Sequence, residues 1–154
     1  MSMYMSFFLR GEDNKFYPIG TYSRNTAIYE IFSECNLGPW EKIEPITEKG
    51  IDRVVKEIKN NISGFQNRIS DYEKKIDLLA KMENSVEEKM EYIYEYTEDI
   101  NEYKESIKEL ERCEAFAYFI SEIIEEYHWD NDKNEEEYVY VGIEIGNPTE
   151  EDIC

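Results

Sequence analysis

Catalytic side chains are scarce in this 154-residue chain. His128 is the single histidine, and the three cysteines, Cys35, Cys113 and Cys154, are odd in number and show no paired spacing. Cys113 and His128 are the obvious thiol–imidazole pair, but fifteen residues along one helix separate them by ~22 Å on its axis. That is far beyond the hydrogen-bond reach that activates a nucleophile. A zinc site needs four ligands at short paired spacings, and none occur. Gly-rich phosphate loops, H-E-x-x-H and G-x-S-x-G are missing as well. The expectation is a protein that is not an enzyme, with no catalytic residues, no cofactor and no metal. Unpaired thiols fit a reduced, cytoplasmic compartment better than a disulfide scaffold.

Long apolar runs are lacking too. A stretch such as residues 115–120 falls far short of the ~18–20 apolar residues that span a bilayer. The Met-, Tyr- and Phe-rich start carries Arg10 behind its apolar stretch rather than in front, so no secretory signal is expected. Basic residues thin out along the chain. The net charge of −19 arises from 36 acidic and 17 basic side chains, and it is unevenly spread. Residues 51–83 hold 7 basic against 6 acidic side chains, residues 84–112 hold 4 against 10, and beyond them Lys133 stands alone against 13. Such a surface repels nucleic acid and anionic membrane and favours basic protein partners.

What is present is mostly pattern. Residues 3–9 and 16–22, separated by a polar turn, predict a β-hairpin, and Pro18 and Gly20 mark its second strand as an edge. Ile28, Tyr29, Ile31 and Phe32 recur at helical spacing behind Ser23 or Asn25 as candidate caps. Asn36, Gly38 and Pro39 end that short helix, with Trp40 as a large apolar anchor, and residues 41–45 read as a connection. From Ile51 the apolar residues Ile51, Val55, Ile58, Ile62, Phe65, Ile69, Tyr72, Ile76 and Leu79 alternate spacings of four and three, a coiled-coil seam. Gly64 inside it either weakens the helix or admits a close neighbour.

Ser85 and Glu88 form a capping box that starts a second long helix. Its seam is Val86, Met90, Ile93, Tyr96, Ile100, Tyr103, Ile107 and Leu110, with a three-residue slip around Ile93. Past Cys113 the face widens through Phe116, Ala117, Phe119, Ile120, Ile123, Ile124 and Tyr127, which asks for more than one partner. A charged connector over 130–137 leads to an alternating strand, with Val139, Val141, Ile143 and Ile145 on one face. The expected class is α+β: one domain with a small antiparallel sheet (N-terminal hairpin plus C-terminal strand) and a short helix. A sheet-and-helix head (1–46 and 113–146) should bear a projecting antiparallel two-helix coiled-coil arm (47–112), and 147–154 should be a mobile acidic tail.

One arrangement stands above background. Glu87, Glu91, Glu95, Glu98, Glu102, Glu105 and Glu109 follow one another at spacings of three and four, a carboxylate stripe on the second arm helix. Like charges at i,i+4 repel, so something basic should face them. Lys59, Arg68 and Lys75 flank the first seam and could bridge to the stripe from the partner helix. A basic groove on another protein is the second candidate, and a merely solvated acidic face the third. Tyr92 and Tyr94 lie off the seam and read either as cover for the partner helix or as anchors for Arg or Lys. In size, charge and want of chemistry the chain resembles the small acidic inhibitors of phages and mobile elements, DNA-mimic and anti-CRISPR proteins among them. The resemblance rests on composition and one helix, and it carries over no residue. It implies a cytoplasmic inhibitor, in a bacterial host cell if phage-encoded, occupying a basic, nucleic-acid-binding surface of a host or defence protein. The alternative is a structural or assembly protein forming a homo-oligomer through its arm.

Overall fold

A computed structural model describes residues 3–11, 13, 15–38, 43–83, 85–131 and 139–145, with side chains at all of these except 3, 127–131 and 139–145. Trp40, Asn84, the connector beyond 131, the tail with Cys154, the side chain of His128 and the inward face assigned to residues 139–145 lie outside the described set. The element order is β1 (Met3–Arg10), β2 (Phe16–Ser23), α1 (Ala27–Glu34), β3 (Glu44–Pro45), α2 (Glu48–Lys81), α3 (Val86–Asn131) and β4 (Val139–Ile145). The chain is mostly helical, and α2 and α3 form the expected helical hairpin. No helix among the described residues is long and apolar enough to cross a membrane. The chain divides into two compact units, Met1–Ile58 with Cys113–Cys154, and Lys59–Arg112. The division falls inside both long helices, so about three turns of α2 belong with the sheet.

In the sheet-bearing unit the strand order is β2-β1-β4-β3, antiparallel throughout. The hairpin forms as the alternation predicts, and β2 is an edge strand. Phe7 pairs with Gly20 and Phe8 with Pro18, so Ile19 is an extra residue that bulges out of the ladder. β3 was read as plain connection. It is a two-residue strand pairing Glu44 with Val141 and Pro45 with Tyr140, too short for any alternation to announce it.

The short helix is capped by neither Ser23 nor Asn25. Thr26 does it: its Oγ1 donates to the Ser23 carbonyl at 2.7 Å and accepts from the Tyr29 N–H at 3.4 Å. At the other end Leu37 N–H reaches the Phe32 carbonyl (2.9 Å) and Asn36 N–H the Ser33 carbonyl (3.1 Å). Asn36 itself sits at φ 59°. This is a Schellman stop, in which an asparagine takes the left-handed position usually given to glycine. It turns Leu37 into the core, where its Cδ2 lies 2.9 Å from where a Cβ on Gly50 would stand. Thr47 then starts α2 by accepting the Gly50 N–H at 2.9 Å.

The core of this unit centres on Phe7, fully buried and edge-on to Phe32 (4.9 Å between ring centroids), Phe116 (5.0 Å) and Tyr22 (5.8 Å). The widened end of α3 thus packs on the sheet through Phe116, which meets Phe7 and Tyr22. Cys113, Ala117, Ile120 and Ile124 are buried, whereas Phe119 is exposed, so the packed face is narrower than expected. On α2 the buried residues are Gly50, Ile51, Val54 and Ile58, with Val55 only half-buried. A helix covered by several neighbours broadens its face beyond a strict seam.

In the hairpin unit the seam residues of α2, from Ile62 to Leu79, are half-buried rather than buried. Ile100 and Leu110 on α3 are the fully buried ones. A two-helix pair offers each seam side chain one facing layer and leaves its edges to water. Gly64 admits no close neighbour: a Cβ built there meets nothing within 4 Å. Gly64→Ala should therefore stabilise the protein by ~1 kcal/mol, raising the thermal midpoint followed by circular dichroism by about 2–4 °C. A lowered midpoint would show that the missing side chain makes room for something.

Candidate protein-binding interface

With Ile93, Ile100 and Ile107 at heptad position a and Tyr96, Tyr103 and Leu110 at d, the α3 seam runs regularly back toward the turn. The expected slip is absent. The next d position is Lys89, which is half-buried, while Met90 and Val86 are exposed. Ser85 Oγ accepts the Glu88 N–H at 3.3 Å and caps the helix as expected.

The two helices are registered by aromatic rings. Tyr72 stacks on Tyr96 (5.3 Å) and Tyr103 (5.8 Å), and Phe65 lies 5.6 Å from Tyr103. The Tyr72 phenol donates to Tyr103, and this hydrogen bond holds it above its ordinary pKa, aided by the charge of Asp99. Arg68 covers this ladder, 5.6 Å from the Phe65 ring and 5.7 Å from that of Tyr103. Lys75 covers it further along, 5.0 Å from Tyr72 and 5.6 Å from Tyr96. Two of the three cations expected to bridge to the glutamates thus lie over ring faces instead.

Helix geometry explains why. From Glu91 onward the stripe occupies positions c and f, ~150° round the helix from the seam at 3.6 residues per turn. Arg68 and Lys75, at position g of α2, lie on the seam side and face the rings instead. All seven stripe glutamates are exposed. Glu105 receives Lys108 Nζ from its own helix at 3.4 Å, an exposed contact of small energetic worth.

Tyr92 and Tyr94 are 50% and 65% exposed. Position g places Tyr92 on one margin of the stripe and position b places Tyr94 on the other, so the two bracket it. Tyr94 donates its phenolic hydrogen to Glu98, and this bond and the adjacent negative charge raise its pKa. Sequence reasoning located the stripe from its spacing. The half-buried Lys89 escapes it because a charged side chain at a seam position breaks the apolar spacing, and the exposed Leu78 and Met82 because they lie off the seam.

Among the described residues no group of three or more His, Cys, Asp or Glu side chains is placed to hold a metal ion. Cys35 and Cys113 are buried thiols, and burial pushes the Cys35 thiol pKa up, away from the reactive thiolate. Compared with known proteins, the chain matches no family model, no curated protein and no solved structure.

Proposed function

We propose that the protein is a non-enzymatic binding protein whose α3 carboxylate stripe occupies a basic, nucleic-acid-binding surface of another protein, as an inhibitor of the phage DNA-mimic or anti-CRISPR kind would. The observation that carries this reading is the stripe's position: its glutamates are exposed, and from Glu91 onward they lie on the back of the helix, while Arg68 and Lys75 beside the seam lie over ring faces. Glu87 to Glu109 spans ~33 Å, one stripe carboxylate per ~5.5 Å. Glu88 adds an exposed acid at position c beside this row, whereas Asp99 and Glu111 lie at positions g and e, toward the seam. A groove that binds phosphates mainly by charge can accept such a row. Tyr92 and Tyr94 at its margins offer ring faces to Arg or Lys.

The test is capture of the partner from a host lysate by the wild-type chain and by a variant with Glu91, Glu95, Glu98 and Glu102 all changed to Lys. The variant should lose capture while keeping its helical circular dichroism, since all four side chains are exposed. Added duplex DNA should displace the partner from the wild type. Salt should do the same as the Debye length falls to ~3 Å near 1 M. Capture that survives both the reversal and high salt rules the stripe out.

A further inference from the structure

Beside the acidic stripe, and sharing Tyr92 and Glu95 with it, one side of the hairpin carries apolar side chains that its own two helices do not cover. On α2, Arg68 and Lys75 occupy position g, and Met82 follows seven residues on, just past the end of the helix. Leu78 lies one turn from both Lys75 and Met82. Arg68 and Lys75 cap the aromatic ladder, but Leu78 and Met82 are 63% and 48% exposed. On α3, Tyr92 also occupies position g, and in an antiparallel pair the two g flanks share one side. An exposed apolar cluster rimmed by charge is the mark of an interaction surface, and methionine adapts readily to the shape of what it meets.

The charges on the rim say what fits. On this side the outer edge of α2 bears Lys74 and Lys81, and the outer edge of α3 bears Glu88 and Glu95, all of them exposed. The register fixed by the Tyr72–Tyr96 and Phe65–Tyr103 ring pairs sets Lys81 level with Glu88 and Lys74 level with Glu95. A two-fold axis running along the hairpin lays α2 of one copy over α3 of another. Lys81 then meets the partner's Glu88 and Lys74 meets the partner's Glu95, with the apolar side chains enclosed between the two rows. The surface is self-complementary, as a symmetric pair requires.

We infer that this flank is a self-association surface, through which two copies of the chain pair by their hairpins. Three apolar side chains supply well under the ~800 Å² per partner of a stable interface, so the dimer dissociates on dilution.

Sedimentation velocity on the full chain from about 10 μM to 1 mM tests this, a range that brackets weak association. The wild type should pass from one chain to two across the range. Leu78→Glu with Met82→Glu, both at exposed positions, should raise the dissociation constant by about 100-fold or more at unchanged helical content, and it leaves Glu91 to Glu102 intact for separate binding tests. Lys81→Glu alone and Glu88→Lys alone should each weaken pairing about fivefold, and the two combined should restore it. A wild type monomeric throughout, a Leu78/Met82 variant that pairs as the wild type does, or a double reversal that recovers nothing would each overturn the inference.

Discussion

Phe7→Ala should cost the sheet-bearing unit about 3–5 kcal/mol and leave it unfolded or nearly so at ambient temperature. Phe7 is fully buried on the central strand and touches the rings of Phe32 on α1, Phe116 on α3 and Tyr22 on β2. Its removal leaves a cavity bordered by three separate elements, none of which can close it alone. Each lost edge-to-face contact adds ~0.5–1.5 kcal/mol to the transfer cost. Small domains hold only ~5–15 kcal/mol in total, so the loss takes a large share. Urea unfolding followed in the near-ultraviolet measures it, with Phe119→Ala as the exposed control expected to change little. A loss below ~1 kcal/mol for Phe7→Ala would mean that the core is organised around other residues.

Tyr103→Ala is expected to loosen the hairpin unit by about 2–3 kcal/mol, from two ring pairs, one cation–π contact and partial burial. Tyr103 is the hub of the ladder, touching Phe65, Tyr72 and the Arg68 guanidinium. In a pair of helices with little fully buried surface, such ring contacts replace the missing depth of core. Hydrogen exchange should show faster amide opening across residues 59–112. Tyr103→Phe, which keeps the ring, should recover most of the protection. Equal loss in both variants would shift the weight from ring stacking to the hydroxyl.

Much of this architecture was legible because simple periodicities carry it. Alternation gave the hairpin strands and β4, and a spacing of three and four gave α2, α3 and the carboxylate stripe. What escaped were choices between near-equal options. Ser23, Asn25 and Thr26 can each cap a helix, and it is Thr26 whose hydroxyl accepts the Tyr29 N–H. Lys89 outranked Met90 at the seam because the register set by Tyr72 and Tyr96 runs on past the point where composition favours it. Arg68 and Lys75 could pair with acids or cover rings, and at an exposed site both are worth at most ~1 kcal/mol. Spacing alone cannot rank such alternatives. The stripe was legible as a line of charge, yet its placement on the far side of the helix from the seam cations followed only from the observed register.

The bulge at Ile19 has a consequence for how the protein behaves at high concentration. An open sheet edge is a template onto which a strand from another molecule can polymerise. On β2 that template is spoiled twice within two residues: Pro18 contributes no N–H, and Ile19 throws the spacing of donors and acceptors out of step. A chain with a long outer strand is thereby kept from growing into fibrils by that edge.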